Sequence, residues 1–158
     1  MIPKLTPKHT TPKIINNFLT NLDKTSFKGT YTSRYSDRII TSTDNSIYQV
    51  IPDAILYPKT HNDIHHIFNL ANKRKFKDIH FTPRGGGTGT NGQSINNGII
   101  IDTSKFMRNI LKFDKKNQTI TVEAGVILDQ LNDFLKPHGY HFPPNLSPSN
   151  RATIGGMI

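Results

Sequence analysis

Six of the chain's 11 glycines fall between Gly85 and Gly98, and only Gly29 precedes them. The run reads Phe81-Thr82-Pro83-Arg84-Gly85-Gly86-Gly87-Thr88-Gly89-Thr90-Asn91-Gly92-Gln93-Ser94. So dense a cluster is a local demand on the backbone. Glycine reaches positive φ and has no Cβ, so consecutive N–H groups can turn toward one acceptor close to the chain. An anion such as a phosphate fits a nest of this kind. Arg84 adds a planar positive fork, and Thr88, Thr90, Asn91 and Ser94 add short hydrogen-bonding side chains. The run reads as a cradle for a phosphorylated cofactor, against the competing reading of a flexible glycine hinge. A strand-like segment enters it and a strongly apolar one leaves it, which a hinge does not require.

Two nucleotide motifs can be tested on these residues. Gly87-x-Gly89-x-x-Gly92 matches the dinucleotide fingerprint, but that motif needs a helix to begin at its end and meet the pyrophosphate. Here Gln93-Ser94-Ile95-Asn96-Asn97-Gly98 follows, which is turn chemistry, and the Rossmann reading fails. Gly87-x-x-x-x-Gly92-Gln93-Ser94 approaches a Walker A loop, but Gln93 stands where the phosphate-binding lysine belongs, and the NTPase reading fails with it.

A chain of 158 residues can bury one ordinary core. Its net charge of +9 raises a nucleic-acid or membrane-surface reading. The basic residues form no dense stripe: 13 lie in positions 1–84 and seven after, with Lys73-Arg74-Lys75 and Lys115-Lys116 the only clusters. Each cluster falls where a helix end or turn tip is expected, so the charge reads as solvated surface and no nucleic-acid partner is expected. There is no cysteine, which excludes disulfides, a thiol nucleophile and an iron–sulfur cluster held by this segment. The opening Met1–His9 lacks the apolar core of a signal peptide, and no stretch is long and apolar enough to span a bilayer. The expected compartment is the cytoplasm, with peripheral attachment at the inner membrane as the variant reading.

Residues 1–12 carry three prolines and read as an arm, followed by a helix on Ile14, Ile15, Phe18, Leu19 and Leu22. Residues 1–30 are set apart as arm and short helix, and 31–158 as the main domain. Thr30 to Arg38 has no clear period. Ala54-Ile55-Leu56-Tyr57 suits a buried strand closed by Pro58. Thr60 caps the next helix, with Asp63 in its first turn and Ile64, Ile67, Phe68 and Ala71 on its apolar face. Ile79-His80-Phe81-Thr82 alternates as a strand does. These form a β-α-β unit with parallel strands and a right-handed crossover, whose second strand delivers the glycine loop at its carboxyl end. Gly98-Ile99-Ile100-Ile101-Asp102 is another buried strand, and 110–123 reads as a hairpin turning at Asp114–Gln118. Ile127, Leu128, Leu131, Phe134 and Leu135 define a helix stopped by Pro137 and Gly139. The fold class is α+β.

Residues 142–158 hold a second cluster of small and hydroxyl residues, Thr153-Ile154-Gly155-Gly156, which can bring backbone and a hydroxyl close to a ligand; a proline-rich surface loop is the competing reading. The apolar end at Met157-Ile158 is expected to mark a fragment, incomplete at its C-terminus. No pair among the seven histidines has a supporting carboxylate at metal-site spacing, so no metal is expected; Asp102 and Glu123 at strand ends read as hydrogen-bonding groups.

From about Tyr35 to Ile158 the chain resembles the N-terminal part of the FAD-linked oxidases, whose flavin domain is of the vanillyl-alcohol-oxidase, or PCMH, type. The group includes D-lactate dehydrogenases, glycolate oxidase subunits and D-2-hydroxyglutarate dehydrogenases. The markers, in order, are Thr43-Asp44-Asn45-Ser46-Ile47-Tyr48, Pro83-Arg84-Gly85-Gly86-Gly87-Thr88-Gly89, Val122-Glu123-Ala124-Gly125-Val126 and Thr153-Ile154-Gly155-Gly156-Met157. Arg34-Tyr35-Ser36-Asp37-Arg38 and Gly92-Gln93-Ser94 resemble the large bacterial members that carry a C-terminal iron–sulfur part. The resemblance implies that Arg84, Gly85, Gly86, Gly87, Thr88 and Gly89 wrap the FAD pyrophosphate, with Thr90, Asn91 and Gly92 completing the loop. Ser149, Thr153, Ile154, Gly155 and Gly156 approach the flavin from a second side, and Asp44 and Ser46 lie nearby. Relatives with covalent FAD use a histidine in the glycine loop; this loop has none, which implies non-covalent FAD. It further implies hydride transfer from a small 2-hydroxy acid to flavin and onward transfer to a quinone, cytochrome or similar acceptor. The catalytic groups and the iron–sulfur cluster would then lie beyond Ile158, leaving none in this segment. The alternatives are another FAD-dependent oxidase or cell-wall reductase on the same cradle, and a basic nucleic-acid-binding domain.

Overall fold

The computed structural model describes residues 10–158, and most of the expected arm, residues 1–9, lies outside them. The elements run α1 (Lys13–Leu22), β1 (Thr30–Thr32), α2 (Tyr35–Ile40), β2 (Ala54–Tyr57), α3 (His61–Ala71), β3 (Phe81–Arg84) and β4 (Ile99–Asp102), then β5 (Ile110–Asp114), β6 (Thr119–Val122), α4 (Leu128–Leu135) and α5 (Ile154–Met157).

Strand β4 organises the first layer. Its residues Ile99, Ile100 and Ile101 are buried on both faces, a demand only an inner strand meets. It lies between β2 and β3 in the order β1-β2-β4-β3, parallel to both, with β1 antiparallel at the edge. The two strands of the β-α-β unit are thus parallel, as expected, but separated by β4 rather than adjacent. β3 begins two residues later than its alternation suggests and runs through Pro83. A proline lacks the ladder N–H, and an edge strand can spare it.

Ala54, Leu56, Ile99 and Ile101 face one core, which α1 closes with Ile15, Phe18, Leu19 and Leu22, and α3 with Ile67 and Leu70. The helix set apart with the arm is therefore packed in the same core as β2, α3 and β4, because its apolar stripe is covered there. Phe18 meets the rings of Phe76 and Phe81 at 5.2 and 5.3 Å. On α3 the buried stripe is Ile67 with Leu70, while Phe68 is 46% exposed, so the expected face is rotated slightly. A second core joins α4 and α5 to the β5–β6 hairpin through Val126, Leu128, Leu131, Leu135 and Ile154. The unreadable stretch after Gly29 holds β1 and α2, and α2 buries Arg38, whose guanidinium bonds the Pro52 carbonyl and pairs with Asp53 at 3.5 Å.

Asp63 ties the layer together. Thr60 Oγ1 accepts from the Asp63 N–H at 3.2 Å, and Asp63 Oδ2 accepts from the Thr60 N–H at 3.0 Å, a complete capping box. The same carboxylate accepts from Lys59 N at 2.8 Å and, far along the chain, from Lys28 N at 2.7 Å. Burial raises its pKa, but the Lys28, Lys59 and Thr60 donors outweigh that effect and hold it below the ordinary value. A depressed carboxylate contributes stability that is present above the unfolded-state pKa, about 4, and is lost as pH falls through the folded value. Asp63→Ala, which strands three backbone donors, should cost about 3 kcal/mol in denaturant unfolding at neutral pH. The gap between wild type and Asp63→Asn should narrow at about pH 3; an equal gap at both pH values contradicts this.

Candidate functional site

The parallel strands β2, β4 and β3 end on the same side, and the loops leaving β3 and β4 open there. The β3 loop is the glycine run. Gly85 and Gly86 lie against the second small-residue cluster: a Cβ on Gly85 would meet Thr153 Oγ1, and one on Gly86 would meet the Arg151 carbonyl. Gly87 has φ +63°, the left-handed region that favours glycine, and rests on the Arg84 guanidinium. The glycine loop and the 151–153 segment, more than 60 residues apart in sequence, are therefore in direct contact.

Between them opens a cleft of about 540 Å³, inside the ordinary range for small-molecule sites. Arg84, Gly85, Gly86, Gly87, Thr88 and Gly89 form one wall. Ala152, Thr153, Gly155 and Gly156 form the other, with Leu146 and Met157 adding apolar surface. Among the described residues no Asp or Glu lines the cleft. Among the described residues, the backbone N–H groups of Gly85, Gly86, Gly87, Thr88 and Gly89 donate to no protein acceptor. Thr153 Oγ1 is buried without a hydrogen-bond partner among the described residues, an orphan polar atom of the kind a bound group satisfies. The amides of Ile154, Gly155 and Gly156 are already spent on Val126, Ala124 and Thr153 carbonyls, so this side offers close approach and one hydroxyl rather than a second nest.

Not every expected residue faces the cleft. Thr90 and Asn91 are exposed beyond its rim, and Gly92, with φ +74°, packs near Tyr48. Ile154 is buried in the second core. Ser149 lines a separate crevice of about 290 Å³ with Asp129, Asn132 and His141, and its carbonyl accepts from Asp129 N at 3.3 Å. The Arg84 fork turns to the rear of the loop, where Nη2 donates to the Thr43 carbonyl at 2.8 Å. Burial lowers its pKa, opposed by the charges of Asp102 and Asp44. The 43–46 segment packs behind the loop, with Asn45 N donating to the Gly89 carbonyl at 3.1 Å. Burial raises the Asp44 pKa, but hydrogen bonds from Ser46 and Ser94 outweigh it and leave the carboxyl below its ordinary value.

Sequence reasoning passed over Gln93, Thr103 and Ala124 as lining residues. Thr103 follows β4, so its place at the carboxyl edge of the sheet was a usable signal. Ala124 enters because Gly125 lies against the Thr103 and Met107 carbonyls, a long-range contact without local trace. Asp102 accepts from Ser104 N and Oγ at 2.8 and 2.7 Å, and Glu123 from Asn109 N and Nδ2, both at 2.8 Å, the hydrogen-bonding roles expected of them. Among the described residues no group of three His, Cys, Asp or Glu could hold a metal ion.

The site's chemistry, free amides and an orphan hydroxyl in one cleft lined by no carboxylate of the described residues, fits the diphosphate of a dinucleotide. Comparison with known proteins agrees. The family model described as FAD binding domain matches residues 52–158. A D-2-hydroxyglutarate dehydrogenase of Haemophilus influenzae is 52% identical over the whole of this chain, which spans 15% of that relative's length. Among solved structures, alkyldihydroxyacetonephosphate synthase aligns with a TM-score of 0.77 at 20% identity, covering 98% of this chain and 31% of that one. A substrate-bound p-cresol methylhydroxylase aligns with a TM-score of 0.64 at 18% identity, covering 86% and 27%. At such identities the likeness is one of fold, and it is the PCMH-type fold expected from the sequence. The match over residues 52–158, more than half of the chain, shows that this protein belongs to the FAD binding domain family.

Proposed function

We propose that this chain holds the FAD of a dehydrogenase that oxidises a D-2-hydroxy acid, D-2-hydroxyglutarate first among them. The observation that carries the reading is that unspent loop amides at Gly85–Gly89 and the orphan Thr153 hydroxyl, which lies against Gly85, belong to residues lining one cleft. The substrate class rests on the relatives of high identity.

In this reading the amides of Gly85 to Gly89 donate to the diphosphate oxygens, and the missing Cβ atoms let the group approach the backbone. Thr88 and Thr153 supply hydroxyl donors from opposite walls. Gly155 and Gly156 keep the second wall thin, and Leu146 and Met157 give apolar cover that excludes water. When bound, FAD supplies the acceptor for the hydride leaving the hydroxyl-bearing carbon. Among the described residues no histidine lines the cleft, and the chain has no cysteine, which supports non-covalent attachment. The groups that take the substrate's hydroxyl proton, and any iron–sulfur centre passing electrons to a quinone, cytochrome or similar acceptor, are assigned to the rest of the protein, since this chain matches 15–16% of its curated relatives. Among the described residues no helix is long and apolar enough to cross a membrane, consistent with a cytoplasmic enzyme or a peripheral one at the inner membrane.

The full-length protein, purified and freed of FAD, should recover a flavin spectrum on titration with FAD, and D-2-hydroxyglutarate should bleach it without air where the L-enantiomer does not. No binding, or bleaching only by an unrelated alcohol, contradicts the reading. Thr153→Val removes one hydrogen bond and nearly nothing of shape, so it should weaken FAD binding about tenfold. Gly85→Ala drives a methyl into Thr153 and should weaken FAD binding more; affinities equal to wild type in both variants would show that FAD binds elsewhere.

A further inference from the structure

Among the described residues, Arg84 is the one cationic side chain lining the cleft, and its charge invites assignment as a phosphate ligand. Its bonds lead elsewhere. Nη2 donates to the Thr43 carbonyl at 2.8 Å. Nη1 lies 3.4 Å from the Thr41 carbonyl, 3.3 Å from Ser94 Oγ and 3.5 Å from the Ser94 carbonyl. Ser94, 8% exposed, passes the connection on, its Oγ donating to Asp44 Oδ2 at 3.1 Å. Asp44 Oδ1 accepts from Ser46 N at 2.9 Å, and Asn45 N closes the circuit on the Gly89 carbonyl at 3.1 Å. The glycine loop is thus held at both ends, at Arg84 and at Gly89, by the 41–46 segment. Gly87 lies flat on the guanidinium: a Cβ there would come within 2.9 Å of Arg84 Cζ.

We infer that Arg84 is a positioning residue for the anion cradle: with Ser94 and Asp44 it fixes the turn at Gly87 from behind, and the loop amides, not the guanidinium, receive the diphosphate. The inference rests on the FAD reading of the cleft. A lysine has one nitrogen where the fork has two, and cannot reach Thr41, Thr43 and Ser94 together. The nearby carboxylates of Asp102 and Asp44 favour the guanidinium's charge against the cost of its burial.

The two roles predict opposite signs. Were Arg84 a charge ligand, Arg84→Lys would keep most of the affinity, and Asp44→Ala, by removing a nearby negative charge, would tighten FAD binding. As a positioning residue, Arg84→Lys should weaken binding about tenfold, close to the loss in Arg84→Gln. Asp44→Ala should also weaken it, and the double variant should lose less than the product of the single losses. These are read as FAD dissociation constants of the full-length protein by flavin fluorescence. In parallel, the Asn45 amide should exchange faster with deuterium in both variants without FAD. Arg84→Lys binding like wild type, or Asp44→Ala binding equally well or tighter, overturns the inference. Should Arg84→Lys fail to fold, the sign in Asp44→Ala decides. If wild type binds no FAD the functional reading fails, while Asn45 exchange still decides the positioning role.

Discussion

The contact between Gly85 and Gly86 on one side and Thr153 and the Arg151 carbonyl on the other is closer than any side chain on those glycines permits. Gly86 approaches backbone and Gly85 the Thr153 side chain, and the two loops in contact belong to different cores. The first loop leaves β3 in the layer built on α1, α3 and the sheet; the second enters α5 in the layer built on α4 and the hairpin. Remove that approach and the cleft has one wall. The glycines at 85 and 86 are therefore a condition of assembly before they are a condition of binding.

The sheet decides where this contact forms. Three isoleucines in succession require β4 to be covered on both faces and paired on both edges, which places it between β2 and β3. With all three strands parallel, their carboxyl ends converge on one rim. Thr103 after β4 and Arg84 at the end of β3 then stand together, the Thr103 N–H donating to the Arg84 carbonyl at 3.0 Å. Among the described residues, the loop amides at 85–89 and the Thr153 hydroxyl are left without a protein partner at that rim. Binding capacity is concentrated in what folding leaves unpaired.

Much of this was legible in residue order. The capping box at Thr60 and Asp63, the strand at Ala54–Tyr57, the hairpin turning through Asp114–Gln118 and the helix closed by Gly139 depend on neighbours a few residues apart, and such signals survive in sequence. The glycine run was read as a cradle for a phosphorylated cofactor, and the structure brings Arg151 and Thr153 against its first two glycines. What stayed hidden depends on distant partners. The insertion of β4 between two strands that precede it, the burial of Arg38 against the Pro52 carbonyl and the turning of the Arg84 fork onto Thr41 and Thr43 have no local pattern. The Lys28 amide bonds Asp63 across 35 positions for the same reason. A guanidinium in a glycine loop looks like an anion ligand until the carbonyls it already serves are known.

The account's central claim is that both small-residue clusters face one diphosphate. Hydrogen–deuterium exchange of the full-length protein, with and without FAD, tests it most directly, because loop amides without protein acceptors exchange freely until a ligand accepts from them. The account predicts that FAD slows exchange at residues 85–89 together with the adjoining 152–156 segment. Protection confined to other parts of the protein, with exchange at 85–89 unchanged by saturating FAD, would contradict it.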